Sequence, residues 1–397
     1  MAGPFRTQDF ELFVQLEGSY GTSPGALAAT DAFKCNAKNP FKRNIARYDR
    51  DKDQGNQASV LSFQIGKSSS DWAIDGDIIP SGNAATPTLC DMDPFFEAHF
   101  GSKHKATAHT TLAAGSTTTV INFTAGGVAA SGTQVGDFIA VDVSAAFGVE
   151  VRQIPTGGIT GDAVTVDRAL SAAPAAGRAV YVGTTYKLTF ATLASLHLWA
   201  YLSGDNFRHK AGGCDARQME VACDFSSTTP VATVGFSGGG LAVTTHATAR
   251  PTPTTAGEPL LPPAAKAWIG TALYCVTKAT LSSNNGIEQR MSESCSLVPT
   301  GLKRTGNGGR YAVTQEIDLL LLSGAIEGYY DNETTLTAYD CLVQLGLLPG
   351  AMVAWRTPKF VPNPVETPEA DGEVALSLSG KCYGLSVVDT EVAFAIF

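Results

Sequence analysis

Charge is scarce in this sequence: Asp, Glu, Lys and Arg make up 16% of 397 residues, well below the quarter usual in soluble domains. The balance is acidic, at −9. A chain that grips nucleic acid by its phosphates needs the opposite excess, so no such grip is expected. Long hydrophobic runs are missing too. The leucines from Leu319 to Leu322 are too few to cross a bilayer. The opening Met1-Ala-Gly-Pro-Phe-Arg6 lacks a basic start followed by an apolar stretch, so no secretory signal is expected and synthesis in a cytosol is. The eight cysteines form no C-x-x-C pair, and no histidines cluster at zinc spacing. Burial as small apolar residues is expected of them, with no metal, no cofactor and no disulfide scaffold. No internal repeat of solenoid or propeller period is found.

Gly, Ala, Ser and Thr are abundant, a profile of many short strands joined by tight turns. Gln8 to Glu17 is strand-like and ends at Gly18 and Gly21. Residues 35–60 are polar and mixed in charge without an apolar period, and they are expected to form a long projecting loop or hairpin. Strands are expected at Leu61–Ile65, Ser195–Leu202, Gln218–Phe225, Val231–Phe236, Leu241–His246, Thr271–Leu281, Arg310–Leu322, Val374–Leu378 and Glu391–Phe397. In 218–225, Met219, Val221, Cys223 and Phe225 alternate with Gln218, Glu220, Ala222 and Asp224, which predicts one dry and one wet face. Two helices are expected. One is capped by Asp93, begins with Pro94 and stops at Gly101; the other follows Asp331, with Leu336, Tyr339 and Val343 at helical spacing before Gly346.

Between about 105 and 184 charge thins and Ala, Gly, Thr and Val dominate. Five strands fit there: Thr117–Phe123, Val135–Val143, Val149–Ile154, Ala163–Arg168 and Arg178–Val182. Five short strands suffice for a small β-barrel or sandwich. Because similar character resumes on both sides, the segment is expected to be an inserted domain in a discontinuous host of 1–104 and 185–397. The proline-rich stretch 250–265 is expected to be an extended loop within the host.

Motifs with catalytic potential fail on context. Gly235-Phe-Ser-Gly-Gly239 matches a nucleophile elbow, but a second strand follows Ser237 where the elbow needs a helix, and His246 lacks an acid partner. Asp49-x-Asp51-x-Asp53-x-Gly55 has its glycine one place late and Val60 where calcium needs a Glu. Among the histidines, His104 and His109 are expected at the surface and His197 as a satisfied structural residue. No nucleophile, base and orienting group come together, and catalysis is not expected.

The run Leu16-Glu-Gly-Ser-Tyr-Gly-Thr-Ser-Pro24 resembles the opening of tail tube proteins of long-tailed bacteriophages. Further pieces follow in order: Phe63–Ile65, Pro94–Phe100, Leu196-His-Leu-Trp199 with Gly204-Asp, and Gly212-Gly-Cys214 leading into 218–225. Phe236-Ser-Gly238, Asn285-Gly-Ile-Glu288 and Arg310–Leu322 complete the series. The resemblance implies a mainly β fold: an antiparallel sandwich with flanking short helices, interrupted here by the inserted domain. It also implies a virion protein, made in the bacterial host's cytoplasm, that assembles with itself as stacked rings, hexameric in the family, and with other tail proteins. DNA would pass through the lumen without specific binding, and no membrane is involved. The loop 35–60, with Lys42, Arg43, Arg47, Asp49, Arg50, Asp51 and Asp53, would reach neighbouring subunits.

An acidic lumen repels phosphates. Glu220, Asp224, Glu316 and Asp318 are the candidates for that surface, with an outer wet face as the alternative, and the inserted domain would face outward. A competing reading is an adhesive or carbohydrate-binding β-module of a viral particle. Residues 105–184 hold only Phe123, Phe138, Phe147 and Tyr181 as aromatics, few for sugar stacking.

Overall fold

The structure, a computed structural model, describes residues 10–36, 39–49, 63–80, 85–189, 194–202, 207–227, 229–254, 258–262, 265–291, 296, 298–304, 311–320, 337–364, 369–370, 373–385 and 391–397. The chain begins with β1 (Phe10–Leu16), β2 (Ala32–Phe33), β3 (Phe41–Asp49) and β4 (Phe63–Asp77), then α1 (Asp93–Phe100) and β5 (Gly101–Lys105). Next come β6 (Thr110–Thr111), β7 (Val120–Asn122), α2 (Gly127–Ser131), β8 (Phe138–Ser144), β9 (Gly148–Gln153), β10 (Ile159–Thr160), β11 (Ala163–Thr165) and β12 (Ala179–Val182). The middle holds β13 (Thr184–Leu188), β14 (Leu196–Leu202), β15 (Phe207–Cys214), β16 (Gln218–Asp224), β17 (Thr233–Gly240) and β18 (Thr244–Thr245). Then follow β19 (Ala265–Ile269), β20 (Ala272–Asn284), β21 (Ile287–Gln289), β22 (Leu302–Arg304) and β23 (Ala312–Leu320). The last are β24 (Tyr339–Leu348), β25 (Ala351–Pro362), β26 (Glu369–Ala370), β27 (Glu373–Tyr383) and β28 (Ala393–Ile396).

The protein is mainly β, and every strand pair described is antiparallel. One large sheet runs β3-β4-β17-β16-β20-β19-β24-β25-β28-β13-β5, with β23 and β27 branching from β20 and β25. The pairings β20–β23, β23–β27, β27–β25, β25–β24, β24–β19 and β19–β20 return on themselves. That circuit encloses Ile317, Leu319, Val343, Leu345, Trp355 and Leu378 in the main core. A five-stranded sheet, β18-β15-β14-β1-β2, packs its Leu12, Val14, Leu198 and Ala200 into the same core. Helix α1 is packed into that core between the two sheets, where Phe95 meets Phe33 edge-on and stacks on Phe236, and Phe96 stacks on Phe394. Residues 106–182 make two small sheets, β10-β11-β7 and β6-β12-β8-β9, around a separate cluster that includes Ile121, Phe123, Ile139 and Val180.

Helix α1 ends as the sequence indicates, with Gly101 in the left-handed region at φ 79°. Its start differs. Asp93 does not cap the helix; it is the first helical residue, and its carboxylate instead takes hydrogen bonds from Lys103 (2.8 Å) and the Tyr186 hydroxyl (2.7 Å). The second expected helix is a strand: Tyr339 and Val343 lie in β24 and Gly346 near its end, while Leu336 lies outside the described residues. Cys341, Val343 and Leu345 face the main core, and Leu342 is buried on the opposite face. With both faces covered, the alternation that marks a strand is erased, and an accidental helical spacing remains. The second helix is instead the short α2, which starts after Gly126 in the left-handed region at φ 74°.

The five strands expected in 105–184 appear as β7, β8, β9, β11 and β12, most of them shorter at the ends. The strand expected over 241–246 shrinks to Thr244–Thr245. His104 and His109 are half-buried, not surface residues: His104 Nδ1 lies 2.9 Å from Asp137, and His109 Nδ1 accepts the Val182 N–H. Five of the cysteines are buried, Cys35 is half-buried and Cys275 is exposed, so the burial expected of them holds for five; Cys295 lies outside the described residues.

Candidate lumen face and the motif node

The alternation of β16 sets one face of the large sheet. Met219, Val221 and Cys223 enter the core, while Glu220 and Asp224 are exposed. Directly paired residues in an antiparallel ladder point to the same side, so the register carries this face across its neighbours. Asp75 of β4 pairs with Gly235 of β17, which pairs with Glu220, which pairs with Ser282 of β20, which pairs with Thr314 of β23. One row along, Asp77, Thr233, Ala222, Thr280 and Glu316 align in the same way. Beyond it, Asp224, Lys278 and Asp318 align. The four carboxylates singled out from the sequence therefore share one face. Asp71, Asp75 and Asp77 join them, and their even spacing in β4, four and two residues apart, was the signal that could have found them.

The face is concave as well as acidic. A trough of about 740 Å3 runs over it, lined by Asp75, Glu220, Thr233, Gly235, Ser282 and Thr314. Beyond the trough the same face carries cations, Lys381 beside Thr314 and Lys278: the Lys278 ammonium binds Glu316 at 2.7 Å, which raises its pKa, with Asp318 and Asp224 adding to the effect. Burial pushes the Asp318 carboxyl up, whereas the hydroxyl and N–H of Ser226 hold Asp224 down. Ser237 sits on this face in mid-strand, its hydroxyl donating to Gln218 at 3.0 Å. No helix follows it, so the G-x-S-x-G match is no nucleophile elbow.

The loop candidates are divided by the structure. Residues 41–49 are a strand, β3, paired with β4. β3 ends the sheet order, with β4 its only partner among the described residues. Lys42 and Arg43 are exposed on it; Arg47 and Asp49 belong to the same strand. Arg50, Asp51 and Asp53, and with them most of the calcium-like motif, lie outside the described residues.

A second polar feature was not anticipated. The fully buried carboxylate of Glu17, just past β1, accepts four hydrogen bonds. They come from the N–H of Gly21 (2.8 Å), the N–H of Gly213 (2.8 Å), the hydroxyl of Ser195 (2.6 Å) and Nδ1 of His197 (3.0 Å). The Tyr20 hydroxyl donates to Gln289 Oε1. In turn, Gln289 Nε2 reaches Gly213 O (2.7 Å) and Asp215 Oδ2 (2.9 Å), and Asp215 Oδ1 accepts the Gly239 N–H (3.1 Å). Burial pushes Tyr20 up, helped by Cys214, Asp215 and Glu17; burial also raises Asp215, opposed by Arg217. The glycines here are dictated by close approach. A Cβ on Gly212 would stand 2.9 Å from His197 Nδ1, and one on Gly238 would collide with the Asp215 carbonyl. The node ties the five-stranded sheet to β17 and β21. Segments 16–24, 196–199, 212–214, 236–239 and 285–289, scattered in sequence, meet at it.

A search of curated proteins finds no match. A family model described as phage tail tube protein matches residues 132–341, a span that begins inside the segment 105–184 and includes β16, β17, β20 and β23. That span is more than half of the chain, which belongs to the phage tail tube protein family.

Proposed function

We propose that the chain is the self-assembling wall subunit of a phage tail tube, with the acidic face of β4, β17, β16, β20 and β23 turned to the lumen. Six copies close a ring and rings stack, as in the family. The carboxylates Glu220, Asp224, Glu316 and Asp318 keep passing DNA from adhering, because a negative wall offers no counterion release. The observation that carries this reading is the register: four carboxylates from two strands fall on one wet face, Glu220 lining the trough, while the opposite face is core. Strand β3, with Lys42, Arg43, Arg47 and Asp49, leads the segment that reaches a neighbour; a strand edge with no second partner among the described residues invites such pairing, and Arg50, Asp51 and Asp53 follow in sequence. Residues 1–104 and 185–397 form the host domain, and 105–184 is the inserted domain on the outside. The subunit works as a structural protein without catalysis.

Electron microscopy of the purified protein tests the reading. Rings or tubes are expected, with the four carboxylates at the inner radius. Lysine at all four positions is expected to leave tubes intact but make them retain duplex DNA at low salt and release it as salt rises. Monodisperse monomers, or a ring map with these residues outside, sink the proposal.

A further inference from the structure

Residues 106–182 leave the large sheet at Lys105 and return at Thr184, and those two residues pair across the stem. A unit with its own apolar cluster and adjacent ends has the look of a removable module. Its second face contradicts that. Along β8, Ile139, Val141 and Val143 point into the unit's own cluster. Phe138 and Ala140 point the other way, and with Val149 and Val151 of β9 they pack on Trp268, Leu342, Met352, Ala354 and Phe397. Those residues belong to the second face of β19, β24 and β25 and to the chain end after β28. The side chain of Gln344 in β24 spans the boundary too, accepting the Val151 N–H at 2.9 Å and donating to Val149 O at 3.1 Å.

Charges close the boundary. Arg168 Nε lies 2.8 Å from Asp167 and its Nη2 lies 2.8 Å from Asp340. Arg356 Nη2 lies 2.7 Å from the other oxygen of Asp340, and its Nε lies 3.6 Å from Asp167. The four residues alternate in sign around a closed circuit, two from each side of the boundary. Beside them Arg152, fully buried, bonds Glu150 at 2.6 Å and lies 4.4 Å over the Trp268 ring. Arg356 also donates to Gln153 at 2.7 Å. Buried charges gain little net stability over an apolar packing, but they tolerate no misplacement, because a lost partner leaves an uncompensated charge.

We infer that residues 106–182 are a fixed wall of this protein, locked by the Asp167–Arg168–Asp340–Arg356 circuit, which seals the second face of β19, β24 and β25 and cannot act as a separable module. The wet face of β16, β20 and β23 is then the large sheet face left open. This inference stands apart from the tube reading, since its tests concern the single subunit.

Limited proteolysis and thermal unfolding of the full chain test it, whether or not rings form. The wild-type chain is expected to unfold in one transition and to release no fragment cut near 105 and 183. Arg168→Ala, which takes a partner from the buried Asp167, is expected to speed cleavage at those junctions about a hundredfold, and Asp340→Ala, whose side chain is a third exposed, by less. The double variant is expected to lose less than the two singles combined, because both truncations remove the same Arg168–Asp340 ion pair. A chain in which 106–182 is replaced by a short Gly-Ser turn is expected to aggregate through the uncovered Trp268, Leu342 and Met352. A soluble, folded deletion protein, two separate wild-type transitions, or additive effects of the single variants would overturn the inference.

Discussion

The Glu17 node allows a sharp forecast for Glu17→Gln. The substitution keeps size and shape but replaces one acceptor oxygen with an amide NH2. If the NH2 takes the Oε2 position, it faces the Gly21 N–H at 2.8 Å and the Ser195 hydroxyl at 2.6 Å. The hydroxyl can rotate and accept; the backbone N–H cannot. If it takes the Oε1 position, it faces the Gly213 N–H, which is equally fixed, and His197 Nδ1. Switching the imidazole tautomer would place a proton on His197 Nε2, a buried atom without a hydrogen-bond partner among the described residues. Either way at least one buried N–H loses its acceptor, which costs about 1–3 kcal/mol, and the surviving bonds lose their charge assistance. A total of about 2–4 kcal/mol is expected, a large part of the ~5–15 kcal/mol typical of a folded domain. Urea unfolding of the variant and the parent chain at pH 7 measures it directly. A loss below about 0.5 kcal/mol would falsify the geometry of the node, since exposed substitutions lie in that range.

His99 is fully buried, with Nδ1 2.9 Å from Ala216 O and Nε2 3.0 Å from the Ser283 hydroxyl, and burial depresses its pKa to about 4. The unfolded chain binds this proton near pH 6.5 and the folded chain only near 4, so stability is full above 6.5 and falls as pH drops between the two. The loss approaches about 3 kcal/mol at the acid end, and comparing unfolding free energies of the parent and His99→Gln at pH 7 and 4.5 should show the parent's steeper slope. Gly238→Ala drives a methyl into the Asp215 carbonyl and should cost at least about 1–3 kcal/mol by forcing backbone to move, readable as a lowered thermal midpoint; an unchanged midpoint would refute the close approach. Ser237→Ala, by contrast, removes one hydrogen bond at a half-exposed site and should change stability by no more than about 0.5 kcal/mol.

How much was legible depends on how many faces of a strand are covered. β16 has one wet face, so Met219, Val221 and Cys223 alternated visibly with Glu220 and Asp224. β24 is buried on both sides, with Val343 in one core and Leu342 in another, so its sequence carried no strand alternation and left only a misleading helical spacing. Helix α1 announced itself through Pro94 and Gly101, whose backbone demands are local. Asp93 misled for the opposite reason: its carboxylate serves Lys103 and Tyr186, residues that only the fold brings near.

By itself the sequence determined the class of the protein. Sparse charge, Gly and Thr in turns, short alternating runs and a series of ordered motifs are local or collinear properties, and together they indicated a mainly β tail tube protein. Tertiary structure decided what those motifs do. Glu17, the pair Gly213 and Asp215, and Gln289 lie in three distant stretches of the chain and meet in one buried node, because hydrogen bonding of buried carboxylates is a matter of distance in space. The alignment of Glu220 and Asp224 with Glu316 and Asp318 is of the same kind. Two alternating strands carry acids on one side each, but only the β16–β20–β23 register puts both sides on one face.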